Sequence, residues 1–218
     1  MIAGIARAFR RWLAPVLVEL IAGEDQMPDA REPHPMRLDR ASTTLLVVDV
    51  QERLFPTMDA DHREEVVRNI KILTTAARRL GLATVLTEQC PKALGHTLPE
   101  LSDTLAPGVE PIAKVELSCG AVEGVRASLT RARTRSVVLT GIEAHVGVLM
   151  SALDLLAQGY AVHVAADAVT SRTQANWRLA MDQLRQGGAV VTSTETILFQ
   201  LLGAADTEEF GELARLTR

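Results

Sequence analysis

The chain has 218 residues, 47% of them hydrophobic, and a net charge of −4 with both signs mixed along its length. That is enough apolar chain for one substantial core. The acidic balance and an aromatic content of 3% argue against a nucleic-acid partner, which asks for a basic stripe and stacking surfaces.

Residues 1–37 read as an extension. Arg7, Arg10 and Arg11 precede the apolar run Trp12-Leu13-Ala14-Pro15-Val16-Leu17-Val18, and Glu19 interrupts it before Leu20-Ile21-Ala22. A membrane-spanning helix needs about 20 apolar residues, so no span is expected here. A basic start and a small-residue end at Ala22-Gly23 suit a signal peptide, whereas Glu19 suits an amphipathic appended helix. Gly23 to Pro35 is a polar linker, and Met36 is an alternative translation start just before the regular pattern. One domain is expected over 38–218. Its two cysteines, Cys90 and Cys119, make no disulfide framework, and a reducing, cytoplasmic setting is the expectation.

From Thr43 onward, strands and helices alternate. Thr44-Leu45-Leu46-Val47-Val48 has the continuous apolar character of a strand buried on both faces, and Asp49 ends it. His62 to Arg79 carries Val66, Val67, Ile70, Leu73, Ala76 and Ala77 at helical spacing, with Gly81 as its stop. Ala83 to Thr87 is a second strand, followed by a loop from Cys90 to Gly108. Glu110 to Lys114 is a third strand and Ala121 to Arg131 a helix. Val137 to Thr140 is a fourth strand, with a helix from Val148 to Gln158. Ala161 to Ala165 is a fifth strand that Asp167 terminates, with a helix from Gln174 to Arg185. Ala189 to Thr192 is a sixth strand, and Thr194 to Leu202 and Thr207 to Leu216 close the chain as helices. This pattern predicts an α/β fold: a three-layer α/β/α sandwich around a six-stranded parallel sheet. Such sheets bind ligands at the carboxyl ends of their strands, where strand order reverses. Asp49, Glu88, Lys114, Gly141 and Asp167 lie at or just beyond those ends.

Asp49 closes an apolar strand, where a carboxylate is costly without a partner; it is either a loop cap or a functional acid. Lys114, among short aliphatics, either snorkels or pairs with it. The bend Thr140-Gly141-Ile142-Glu143-Ala144-His145-Val146-Gly147 joins a buried strand to a helix. Amide groups and a positive helix end converge at such a bend, a place for a nucleophile or an oxyanion. Gly147 supplies no thiol or hydroxyl there.

Leu46-Val47-Val48-Asp49-Val50-Gln51, Thr87-Glu88-Gln89-Cys90-Pro91, Pro111-Ile112-Ala113-Lys114, Gly141-Ile142-Glu143-Ala144-His145-Val146 and Val164-Ala165-Ala166-Asp167-Ala168-Val169-Thr170-Ser171-Arg172 together resemble the isochorismatase-like hydrolase superfamily. The likeness covers about residues 38 to 210. It implies a site of an aspartate, a lysine and usually a cysteine. Asp49 and Lys114 match the first two, and Gly147 stands where the cysteine would be. The cysteine branch attacks a carbonyl with a thiolate, using the aspartate as base. The isochorismatase branch carries glycine in a similar Ala-His-Val-Gly-Val-Leu run and hydrolyses a vinyl ether, with the aspartate as acid. Glu143 departs from that branch, which tends to hold its substrate with an aromatic there.

Other candidates flank this centre. Gln51 would orient Asp49, and Glu88 and Gln89 would line the substrate pocket. Cys119 is either a buried hydrophobe or a substitute nucleophile that projects toward the pocket. His145 is either structural or a base. The Glu88 to His96 segment lacks the ligand spacing of the family's metal-binding members, so no metal is expected, and no cofactor. The resulting expectation is a homo-oligomeric hydrolase of a small molecule that works through Asp49 and Lys114 without a cysteine at 147. The alternatives are a disarmed binding protein of the same fold and a hydrolase using Cys119.

Overall fold

The computed structural model describes His34 and residues 36–217. The expected amphipathic helix, and all of the linker but His34, lie outside the described residues. Six strands form one parallel sheet: β1 (Thr43–Val48), β2 (Ala83–Gln89), β3 (Pro111–Lys114), β4 (Ser136–Ile142), β5 (Ala161–Thr170) and β6 (Val190–Thr192). Their order is β3-β2-β1-β4-β5-β6. Helices α1 (Arg63–Leu80) and α5 (Thr194–Leu202) cover one face; α2 (Glu123–Arg131), α3 (Leu149–Ala157) and α4 (Gln174–Gln186) cover the other.

β1 explains its own continuous apolar run. Side chains alternate across a strand, so Leu45 and Val47 enter the core beneath α1 and α5, and Leu46 and Val48 enter the core beneath α2, α3 and α4. From Leu45 to Val48 neither face meets solvent. α1 buries Val66, Ile70, Leu73, Ala77 and Leu80 and stops at Gly81, whose φ of 70° and amide bond to the Ala77 carbonyl make a left-handed cap. Among the described residues, no helix is long and apolar enough to cross a membrane.

Several boundaries differ from expectation. β2 runs to Gln89 and β4 to Ile142, because pairing with their neighbours continues past the apolar cores. β5 does not end at Ala165. Its register with β4 passes from Leu139↔Val164 to Gly141↔Val169, a bulge that lets it continue to Thr170. Asp167 therefore lies inside β5 rather than at a ligand-facing end. Its carboxylate accepts from the amide (2.8 Å) and hydroxyl (2.9 Å) of Thr194 and so caps α5. The helix expected from Val148 is preceded by a π-helical turn, Ala144–Val148, and begins at Leu149. Single-turn helices Pro91–Leu94 and Pro99–Ser102 interrupt the loop after β2, and the last helix shrinks to Phe210–Leu213. A 3₁₀ turn, Cys119–Ala121, precedes α2.

Strand order reverses at β1, which has β2 on one side and β4 on the other. The carboxyl end of this trio is the natural ligand site of the fold. There β1 and β4 approach closely: a Cβ on Gly141, whose φ is 114°, would lie 2.1 Å from the Val48 carbonyl oxygen. We expect Gly141→Ala to lose at least about 3 kcal/mol of stability, read from urea unfolding, because both conformation and space are wrong for it.

His163 sits fully buried on β5, and neither ring nitrogen has a hydrogen-bond partner among the described residues. Burial pushes its pKa down to about 4. The unfolded ring titrates near 6.5, so between the two values only the unfolded state takes up the proton. Stability is therefore full above about pH 6.5 and falls as pH drops toward 4. His163→Leu should flatten that decline in urea midpoints measured across this window.

Candidate active site

Asp49 follows β1 in a left-handed backbone conformation, φ 51°, and its amide donates to the Thr87 carbonyl at 3.2 Å. The turn carries the carboxylate over the end of β2. Thr87 donates its hydroxyl to Oδ1 at 2.8 Å, and Lys114 donates Nζ to Oδ2 at 2.6 Å. Lys114 comes from β3, which is not adjacent to β1. Its side chain crosses β2 to reach Asp49 and has no exposed surface, while that of Asp49 is 5% exposed.

An ammonium has three protons to place. In Lys114 they go to Asp49, to Oε1 of Gln89 at 2.6 Å and to the Glu116 carbonyl at 3.1 Å. The lysine is thus saturated. It favours the ionised form of Asp49 but offers no spare donor to an anion. Burial is the largest influence on Asp49 and raises its pKa; Lys114 and Thr87 pull the other way without cancelling it.

Gly147 faces the same carboxylate. A Cβ built there would lie 3.6 Å from Oδ2 of Asp49 and 3.4 Å from the Ile142 carbonyl, which is ordinary contact. A Cβ fits at this position; the sequence leaves it out. The preceding Ile142–Glu143 peptide is cis. In the turn, the amides of Val146 and Val148 both donate to the Glu143 carbonyl, so those two are not free for an oxyanion.

Gln89 is thereby brought to the centre, and the remaining predicted residues surround it. Gln51 places its side-chain hydrogen bonds elsewhere than on Asp49. It is fully buried, donating Nε2 to the Gln89 and Gly95 carbonyls and accepting the Gln89 amide on Oε1. Its task is to brace the end of β2, whose Gln89 side chain then holds Lys114. Glu88 points to the other side of β2. It accepts from the Thr97 amide (2.7 Å) and hydroxyl (2.9 Å), meets His96 Nδ1 at 3.1 Å, and lines a separate hollow of about 580 Å³. Burial alone would raise the Glu88 pKa, but these bonds hold it below the ordinary range.

Cys119 has no exposed surface and lies behind Thr87, its Sγ 3.7 Å from the hydroxyl. Burial, and secondarily the charge of Asp49, push its thiol pKa up. It belongs to the core beneath α2 and α3, not to a surface that a substrate touches. Glu143 forms a two-pronged pair with Arg172, accepting Nε at 2.9 Å and Nη2 at 2.8 Å. His145 places Nδ1 3.0 Å from the Ser171 hydroxyl and Nε2 3.3 Å from the Asn176 amide nitrogen.

Thr87 and Arg172 carry roles that the sequence reading did not assign to them. The signal for Thr87 is spacing: it shares a strand face with Gln89. For Arg172 no local signal exists, because its partner lies on another strand. Among the described residues, no group of three or more His, Cys, Asp or Glu converges in a way that could hold a metal ion. A hollow of about 730 Å³ runs along α1, lined by Phe55, Arg68 and Thr104 among others, and shares no residue with the Asp49–Lys114 centre.

Comparison with known proteins agrees with this fold. Residues 43–196 match the Isochorismatase domain family. Isochorismatase domain-containing protein 2 from Bos taurus is 37% identical over 190 residues, covering 87% of this chain and 89% of its own length. A structure of MAR1 ribonuclease from Caenorhabditis elegans superimposes with a TM-score of 0.78 at 36% identity, covering 83% of this chain and 91% of that one. The octameric YcaC gene product of Escherichia coli, a hydrolase of unknown specificity, has the same fold: TM-score 0.78, 23% identity, 85% of this chain and 90% of that one.

The buried pair makes a stability prediction. Lys114→Met strands a carboxylate in the interior and should cost about 3–5 kcal/mol in urea unfolding. Adding Asp49→Asn removes the stranded charge, so the double variant should recover a large part of that loss.

Proposed function

The chain belongs to the isochorismatase family, and on that premise we propose that it is a hydrolase of a small organic molecule in which Asp49 moves the proton and no thiolate attacks. One observation carries this reading: the buried, lysine-held carboxylate of Asp49 faces a glycine at a position where a Cβ would make only ordinary contacts.

Each carboxylate oxygen has two acceptor positions. Lys114 occupies one on Oδ2 and Thr87 one on Oδ1, and Oδ2 also faces the space at Gly147. Burial raises the pKa of Asp49, which moves it toward the range of a general acid. Vinyl-ether hydrolysis uses these parts directly. Asp49 delivers its proton to the enol carbon, and the positive charge is shared with the ether oxygen. Water adds to the cationic carbon and returns a proton to Asp49. The hemiketal then breaks its carbon–oxygen bond to give a ketone and an alcohol. The reaction calls on no cofactor or metal. A Cβ-sized space at Gly147 adjoins Oδ2, and this is where the substrate carbon would approach the acid.

Cys119 does not suit a nucleophilic role, since its thiol is buried and its pKa is raised. The ribonuclease activity named for the nematode structure is not carried over, because a net charge of −4 gives no attraction for a phosphate backbone. We read the protein as a cytoplasmic homo-oligomer. The exposed apolar side chains Val115, Leu117 and Met150 support assembly, as does the octameric state of the YcaC product.

The experiment follows pyruvate release from isochorismate. Asp49→Asn should lower kcat at least about 100-fold. In the unaltered protein kcat should fall as pH rises through the Asp49 pKa, which lies above 3.8, since only the protonated acid reacts. A rate that climbs over the same range would mean that Asp49 works as a base, and undiminished turnover in Asp49→Asn would remove it from the reaction.

A further inference from the structure

We propose that Cys119 is a positioning residue that acts on Asp49 through Thr87: its S–H donates to the Thr87 hydroxyl oxygen, keeps the one proton of that hydroxyl on Oδ1, and leaves Oδ2 as the oxygen that takes up the acid's proton. This deepens the hydrolase reading above and rests on Asp49 being the group that moves the proton.

The inference starts from a count of protons. A threonine hydroxyl has one proton to give and lone pairs with which to accept. That of Thr87 lies 2.8 Å from Oδ1 of Asp49 and 3.7 Å from Sγ of Cys119. An ionised carboxylate only accepts, so the Thr87 proton goes to Oδ1. The contact with sulfur then runs one way, from thiol to hydroxyl. Burial, and after it the charge of Asp49, push the thiol pKa up, so the sulfur keeps its proton through neutral pH. The two protons point the same way along the row Cys119, Thr87, Asp49, and each bond polarises the next.

The row is fixed and dry. Cys119, Thr87 and Ser151 have no exposed surface, so water does not compete for the Thr87 oxygen. The Cys119 amide donates to the Ser151 hydroxyl at 2.8 Å, which ties the 3₁₀ turn to α3. On the other side of the carboxylate, Oδ2 meets Lys114 and the space at Gly147. With Oδ1 committed to Thr87, a proton added to Asp49 has its place on Oδ2, beside that space. The other charges that bear on Asp49 are Lys114 from β3 and Glu88 from β2, and both are kept in every variant below. A buried thiol that does not suit attack on a substrate thus has a use in the acid's geometry.

Infrared and NMR spectra of the full chain test the proposal. The S–H stretching band that disappears in Cys119→Ala belongs to this thiol. It should move to lower frequency as Asp49 ionises, and to higher frequency in Thr87→Val, where its acceptor is gone. The Asp49 pKa, read from its carboxyl carbon, should rise by about 0.3 pH units in both Cys119→Ala and Cys119→Val. One variant opens a gap and the other fills it, so a shared shift reports the lost thiol and not altered packing. In Thr87→Val the same pKa should rise by about one pH unit or more. Adding Cys119→Ala to that variant should change it no further. None of these readings needs turnover, so this claim and the hydrolase reading can fail separately. An S–H band indifferent to Thr87→Val, a pKa unmoved by both cysteine variants, or a cysteine effect that persists beside Thr87→Val would each overturn it.

Discussion

Lys114 has three protons, and the fold assigns a place to each of them. Its ammonium ties β3 to β1 across the end of β2 and is out of contact with water, so every acceptor around it must be in position before the charge can be buried. That requirement reaches outward. Gln89 holds the lysine, Gln51 holds Gln89, and the backbone of the segment after β3 supplies the last acceptor. Thr87 completes Asp49 from the strand between. Residues from three strands thus share one electrostatic problem, and its solution fixes how their ends sit together.

Much of this was legible in the sequence. The six strands and their order along the chain follow from apolar runs, and Asp49 and Lys114 stand out because a charge at the end of such a run is costly. Gly147 stood out by what it lacks. The sequence misled where a residue's partner lies far along the chain. Gln51 reads as a neighbour of Asp49, only two residues away, yet its amide turns to the end of β2. Asp167 reads as a strand end because a charge interrupts an apolar run, but a bulge carries β5 past it and the carboxylate caps a helix. Cys119 reads as close to Lys114 and is, though with Thr87 between it and Asp49. For Gln51 the position along the chain was right and the direction of the side chain was not, and for Asp167 the strand end itself was misplaced, since both depend on pairing and register that only the assembled sheet defines.

Glu143 and His145 belong to a second layer of organisation. Each reaches from the turn after β4 to the chain leaving β5, one through Arg172 and the other through Ser171. The rim on this side is stitched strand to strand, as the opposite side is stitched through Gln51, Gln89 and the 95–97 segment.

The left-handed backbone at Asp49 bears on how this position can be read by substitution. Aspartate and asparagine tolerate that region, and alanine does so at a cost of about 1–2 kcal/mol. An alanine replacement would therefore blend two unrelated losses, a proton donor and a relaxed main chain, into one number. The isosteric amide keeps the bend while removing the acid, but its NH2 cannot accept, so the exchange also costs Thr87 or Lys114 an acceptor.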